Sequence, residues 1–233
     1  MKKFLFLFMA VMAITSITYS CKSNYCDNQK SLFTIENATL EIPYDSMVSI
    51  KQCLNYLETT YCVEGQKAQP VIFFDTKKGM IVNSIGRNIL TLGLEPTPCV
   101  GELEYDFNRI LEINLDGNNI LIEGRQTPLD SVGQYVYYQY LNYGKRKGFS
   151  KSPQGNGIWL ISEMNRPITD FNPIITEIVK GYIETATLYS DTFFGKDICN
   201  LSREELVELK AKLQFHLALK YSDEVLPKLE LTF

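Results

Sequence analysis

Between Arg109 and Ile122 two apolar stretches flank Asp116-Gly117-Asn118-Asn119, and a chain that reverses so tightly is committed to an antiparallel hairpin. Ile110, Glu112-Ile113 and Leu115 make the outgoing strand and Ile120-Leu121-Ile122 the return. Pro128 and Asp130 then open a helix through Val132, Val136, Tyr140 and Tyr143, although its Tyr-Val-Tyr-Tyr stretch has strand propensity. Gly144 to Gly157 is a loop rich in Gly, Lys and Ser, followed by a buried strand at Ile158-Trp159-Leu160-Ile161. Asp170 and Pro173 start the next helix, with Ile174, Ile175, Ile178, Val179 and Ile183 as its apolar face. Ser202 and Glu205 form a capping box, so a last helix is expected over 203–220 with Leu206, Leu209, Leu213 and Leu217 inward. The order β-β-α-β-α, followed by a helical tail, predicts an α+β protein with small sheets and helices packed on one face.

The first half carries weaker signals. Thr39 to Ile42 alternates ahead of Pro43 and reads as a short strand, and Asp45 or Ser46 caps a helix with Met47, Ile50, Leu54 and Leu57 on one face. Val71-Ile72-Phe73-Phe74 is a compact strand, Thr76 to Gly79 a turn, and Ile85 to Leu92 a second, shorter helix. Glu95-Pro96-Thr97-Pro98-Cys99 interrupts both helix and central strand and is taken as a boundary.

At the N-terminus Lys2 and Lys3 precede an uncharged apolar run, Phe4 to Tyr19, which is too short and too hydroxylated toward its end to span a bilayer as a helix. It reads as a signal peptide. The run closes on Ser20-Cys21, a small residue before Cys, as lipidation of the Cys21 thiol requires; Thr18 and Ser20 also suit ordinary secretory cleavage, which would leave a soluble periplasmic protein. The predicted organisation is signal peptide 1–20, tether 21–31, an N-terminal α/β unit 32–98, and a second domain 99–233 with a helical C-terminal extension. Processing removes two lysines and no acid, so the formal net charge moves from -4 to -6. No basic stripe is present to neutralise phosphates, which argues against nucleic acid as partner; the local cluster Lys145-Arg146-Lys147 reads as a solvated loop. With Cys21 lipidated, five cysteines remain, none at C-x-x-C spacing, and Cys53 with Cys62 is the nearest candidate disulfide.

The two halves echo each other. Pro43 to Met47 parallels Pro128 to Val132, and Val71 to Phe74 parallels Ile158 to Ile161, at nearly equal separations, so a duplicated unit is expected. Ile110 to Glu123 with its Asp-Gly turn and Ile122-Glu123-Gly124 exit, Trp159 to Ile178 with Asn165-Arg166 and Asp170, and the tail Phe194-Gly195-Lys196, Leu201 and Glu204-Glu205 occur in a characteristic order. In that order, residues 108–215 resemble the periplasmic domain of the ExbD/TolR family in its Bacteroidetes form. The resemblance implies a non-enzymatic partner of proton-driven envelope motors, acting as a homodimer or, if duplicated, as a pseudo-dimer within one chain, and contacting TonB/ExbB-type proteins or peptidoglycan. Family members carry a membrane helix with an essential acid, whereas Phe4 to Ser20 holds no Asp or Glu. Proton translocation is therefore not expected, and a lipid-anchored binding or scaffolding role is.

Catalytic signals are sparse. His216 is the sole histidine and reads as a helix-surface residue rather than as partner to a Cys199 nucleophile. The alternative function is a secreted hydrolase, a carboxylate-based glycosidase on an unrelated α/β scaffold. No phosphate-binding glycine loop is present, and no cofactor or metal site is expected. Tyr135, Tyr137, Tyr138, Tyr140 and Tyr143 are unusually dense; alternate ones suit the core, and Tyr135 and Tyr138 are the candidate partner-binding residues.

Overall fold

A computed structural model of the chain describes residues 25–33, 41–43, 49, 51–52, 71–74, 90–94 and 109–221. Cys21, Cys53 and Cys62 lie outside these residues. The hairpin forms as its sequence dictates: β4 (Arg109–Asp116) and β5 (Asn119–Ile122) pair antiparallel, with Gly117 at φ +55° in the turn. A second tight turn at Glu123-Gly124, both with positive φ, leads into β6 (Arg125–Gln126). A 3-10 turn at Leu129–Ser131 opens α2 (Val132–Leu141), β7 (Asn156–Ser162) follows, and a 3-10 turn at Ile168–Phe171 leads into α3 (Asn172–Phe194). Pro173 stands in the first turn of α3, and Gly195 ends the helix in the left-handed conformation that favours glycine.

The protein is α+β, and β4, β7 and β8 (Leu217–Tyr221) run parallel. Leu111, Ile113 and Leu115 of β4, Ile158 and Leu160 of β7, and Leu217 of β8 are buried on one face. That face is covered by Val132, Val136 and Tyr140 of α2 and by Ile175, Ile178, Val179 and Tyr182 of α3. No described helix is long and apolar enough to cross a membrane.

Several expectations are corrected. The capping box at Ser202 and Glu205 is present, but its helix, α4 (Arg203–Lys212), stops at Leu213 instead of reaching 220. Residues 217–221 form β8, because β7 is a buried strand whose second edge needs a partner, and Leu217-Ala218-Leu219 alternates well enough to supply it. His216 therefore sits at the entrance to β8, where its carbonyl accepts from the Ile158 N–H at 2.9 Å. Leu90 to Leu94, partly assigned above to a helix, is strand β3; its Leu-Thr-Leu-Gly-Leu alternation outweighs helix propensity. The helix expected after Asp45 falls mostly outside the described residues; Ser49 bridges Pro167, and the Lys51 N–H donates to the Met164 carbonyl at 3.0 Å.

Strands β1 (Glu41–Pro43) and β2 (Val71–Phe74) pair parallel, β2 and β3 antiparallel, and β3 then joins β8, so the described strands run in the order β1-β2-β3-β8-β7-β4-β5-β6. The first-half strands thus extend the second-half sheet. The expected repeat does not match this order either: β1 neighbours β2, whereas β6, the strand that stands before Pro128 as β1 stands at Pro43, is separated from β7 by two strands.

The stretch 21–31 does not behave as a tether throughout. Residues Asp27–Ser31 form helix α1, held to the domain by a Cys26–Cys199 disulfide. The Asn28 amide adds bonds to the carbonyls of Ile198 (2.9 Å) and Leu201 (3.1 Å). Leu32 and Phe33 are buried, and the Phe33 ring packs on Tyr182 and Phe215. Tyr182 and Tyr140 donate to the carbonyls of Leu213 and Gln214, which fixes the connection into β8.

Helices α2 and α3 touch at two glycines. A Cβ on Gly181 would stand 2.5 Å from Gly133 Cα and 2.6 Å from its carbonyl oxygen, so backbone meets backbone there. Gly181→Ala should therefore lower unfolding free energy by about 1–3 kcal/mol through forced separation of the helices. Gly133→Ala meets nothing nearer than 3.3 Å and should cost less, since helix propensity partly offsets it. Urea midpoints that are equal for Gly181→Ala and the parent would show that the crossing is not tight. The disulfide spans 173 residues of sequence, so Cys199→Ser should cost about 2–4 kcal/mol and hasten proteolysis within 25–33. Identical stability and cleavage with and without reductant would contradict this.

Candidate functional site

The tyrosine-rich helix divides its side chains three ways. Val132, Val136, Gln139 and Tyr140 point into the core. Tyr135 and Tyr138, the two candidates from sequence, turn toward the loop that follows α2 and meet Phe149 there, at ring distances of 5.9 and 5.4 Å. Both are half-buried. Arg146 lies over the Tyr138 ring at 3.8 Å, and Gln134 donates to the Tyr138 hydroxyl at 2.9 Å. The result is a cation set on an aromatic base, a pairing worth about 0.5–1 kcal/mol where exposed.

The loop is built from within. Asn142, only 3% exposed, accepts from the Arg146 N–H at 2.8 Å and donates to the carbonyls of Arg146 and Ser150. Gly144 and Gly148 adopt positive φ at the bends, and the Gly144 N–H donates to the Ser150 carbonyl. Below the loop, the fully buried Gln139 amide donates to the carbonyls of Arg109 and Gly157, and the Asn156 amide donates to those of Gln139 and Ser152. These bonds lock the starts of β4 and β7 to the end of α2. The sequence marked neither amide, because a lone Gln or Asn carries no pattern. It also gave no reason to separate Arg146 from its solvated neighbours.

Tyr137 faces the other way, into a groove of about 460 Å³ between α2 and α3, beside Asp130, Glu177, Lys180, Glu184 and Leu188. Three acids against one lysine make this groove anionic. Tyr143, 46% exposed, stands past the end of α2. Thus Tyr135 and Tyr138 come together over Phe149, while Tyr137 alone of the cluster lines the groove.

A third feature lies on the sheet face away from the helices. A shallow recess of about 500 Å³ is lined by Ile110, Glu112, Asn114 and the Arg109–Glu123 ion pair (2.8 Å). Nearby, Lys220 Nζ sits 3.0 Å over the Trp159 ring, and burial pushes this amine down to about 8. Arg166, buried at the opposite end of β4, donates to the Gly117 carbonyl at 2.7 Å and pairs with Asp170 and Glu163.

The Cys199 sulfur is bonded to Cys26, so it offers no thiolate to His216, whose own pKa is lowered by burial. Among the described residues no three His, Cys, Asp or Glu side chains gather as a metal site. No family model, curated protein or solved structure matches the chain.

Trp159 is the only tryptophan, so its emission reports the Lys220 contact. The emission should titrate with a midpoint near pH 8, and Lys220→Met should abolish the transition. The linked stability has a definite sign. The folded pKa lies below the unfolded one, so the unfolded chain binds more protons between them, and stability rises from about pH 8 toward 10.5. A flat emission profile across that range would remove Lys220 from the ring.

Proposed function

We propose that this protein is a non-catalytic lipoprotein of a bacterial envelope, related to ExbD/TolR periplasmic domains, which binds or scaffolds a TonB/Tol-type transport system or peptidoglycan. The observation that carries the reading is the Arg146–Tyr138 surface, braced by Phe149 and by the Asn142-centred loop. A fixed guanidinium over an aromatic base suits partners that offer carboxylates beside apolar or sugar faces, as acidic peptides and peptidoglycan stems do. Little side-chain entropy remains to be lost on binding, because Arg146 is already held. Two further features agree with it. From Arg109 the order is β-β-β-α-β-α, the order the resemblance implies with the two-residue β6 added, and a Cys26–Cys199 disulfide suits the oxidising space outside the cytoplasm. Anchoring follows from the Ser20-Cys21 junction.

The test is a pull-down of the processed chain from solubilised envelope. TonB/ExbB-type components or peptidoglycan fragments should be captured, and Arg146→Ala should reduce capture about tenfold, the loss of one charge-assisted contact. Capture of neither class would sink the binding role. Cys21→Ser should abolish lipid labelling and release the protein to the soluble periplasmic fraction; unchanged membrane association would refute the anchor alone.

A further inference from the structure

Two connections meet at one end of the domain. Strands β4, β7 and β8 are parallel, so the loop from Leu141 to Asn156 and the segment from Phe194 to Leu217 both lie where these strands begin. The Ile158 N–H bond to His216 and the Tyr140 bond to Gln214 tie the two connections together there. The Cys26–Cys199 staple belongs to the second of them.

This end has an unusual surface. From Ser131 to Ser162 the chain contains no Asp or Glu, yet the loop carries Lys145, Arg146, Lys147 and Lys151 in a protein of net negative charge. All four are exposed; Arg146 is engaged by Tyr138, and the three lysines have no ion-pair partner among the described residues. The loop cannot simply collapse, because Asn142 holds its backbone. Beside the cations stand two large exposed aromatics, Tyr143 at 46% and Phe193 at 59%. Phe193 stacks on Tyr189 at 4.1 Å, and Tyr143 and Glu208 both add to the rise that burial causes in the Tyr189 phenol. Both exposed rings thus belong to the same end as the loop. Of the acids at this end, Glu205 is held by Lys196 at 2.6 Å and Asp197 accepts from the Cys199 N–H at 2.7 Å, while Asp191, Glu204 and Glu208 are exposed, so the cations outnumber the acids without standing alone. Lysines flanked by exposed aromatics are the side-chain set that suits a membrane–water interface.

We propose that this end of the domain lies against an anionic lipid surface, with Lys145, Lys147 and Lys151 at the headgroups and Tyr143 and Phe193 seated in the interface. The inference rests on the reading of Cys21 as the lipid anchor and adds how the domain sits on its membrane. Only four residues lie between Cys21 and the Cys26 staple, a reach of roughly 17 Å when the five steps are extended. Helix α3 alone is about 35 Å long. An acyl chain at Cys21 therefore keeps the stapled end at the bilayer. The α2–α3 groove still opens along the helices' flank, away from the docked loop.

Flotation of the processed chain carrying Cys21→Ser, from residue 21 onward, tests the docking without the acyl group. Vesicles of phosphatidylcholine mixed with phosphatidylglycerol should carry the protein at low salt, and phosphatidylcholine alone should not. Replacing Lys145, Lys147 and Lys151 together by alanine should weaken flotation about a hundredfold, near fivefold per cation. Phe193→Ser should weaken it about tenfold, with unfolding midpoints of both variants close to the parent's. Equal flotation on both vesicle types, no flotation on either, or an unaffected lysine variant would each overturn the proposal. So would full competition by inorganic phosphate at constant ionic strength, which would mark a free-anion site instead. Loss of lipid labelling at Cys21 with flotation intact would sink the anchor only, and lysine variants that still capture envelope partners keep the two readings separable.

Discussion

Strand β7 is buried along most of its length, and every N–H and C=O it carries must find a partner inside the protein. That requirement organises the rest. One edge is taken by β4, whose parallel alignment demands a crossover, and α2 belongs to that connection. The other edge recruits residues 217–221, again in parallel, and α3 with α4 makes that crossing. Two crossovers on one face bring α2 and α3 together, and they approach closely only because Gly133 and Gly181 present no side chains at the contact. Once β8 is in place its free edge accepts β3, which draws the first-half strands into the same sheet.

Much of this order was legible from local chemistry. The Asp116-Gly117 turn, the Pro173 start of α3 and the Ser202–Glu205 box each act within a few residues, and each is found where its pattern stands. What was missed depends on partners distant in sequence. Leu213 and Leu217 are four apart, which suits one helix face, and only the demand of β7 for a neighbour assigns Leu217 to a strand. Cys26 and Cys199 lie 173 residues apart, so spacing could not favour them over nearer cysteines. Gly133 and Gly181 read as weak points within helices until their mutual contact gives them a purpose. The tyrosine density around 135–143 announced a surface, yet which rings face a loop, a groove or the core was settled by helix phase together with Phe149.

The candidate binding surface is an outgrowth of a polar interior. Gln139 and Asn156 sit fully buried; the Gln139 NH2 donates to backbone carbonyls at the starts of β4 and β7 and the Asn156 NH2 to the Gln139 carbonyl of α2, while their side-chain oxygens have no hydrogen-bond partner among the described residues. Burying such amides costs free energy unless they are bonded, so their placement fixes the geometry of the α2–β7 connection. Asn142 continues the same network outward to Arg146. Arg146 is thus held by bonds that originate in the core, whereas its neighbours Lys145 and Lys147 point from the same frame into solvent.

Charge is also distributed along the long axis of the helices. The acids of the α2–α3 groove, Asp130 and Glu177, belong to the first turns of this helix pair, at the end where β4 and β7 finish; the lysines of the loop lie where those strands begin. A net-negative protein is repelled by an anionic surface at long range, and screening limits any local attraction to about 8 Å at physiological salt. Scattered lysines would not overcome that repulsion. Gathered at one end, behind a stapled segment that begins five positions after Cys21, they would meet the headgroups first under the proposed anchoring, while the exposed Asp191, Glu204 and Glu208 share that end and reduce its net positive charge. Under the proposed anchoring, the gathered lysines and the short tether would act together to restrict how the domain tumbles.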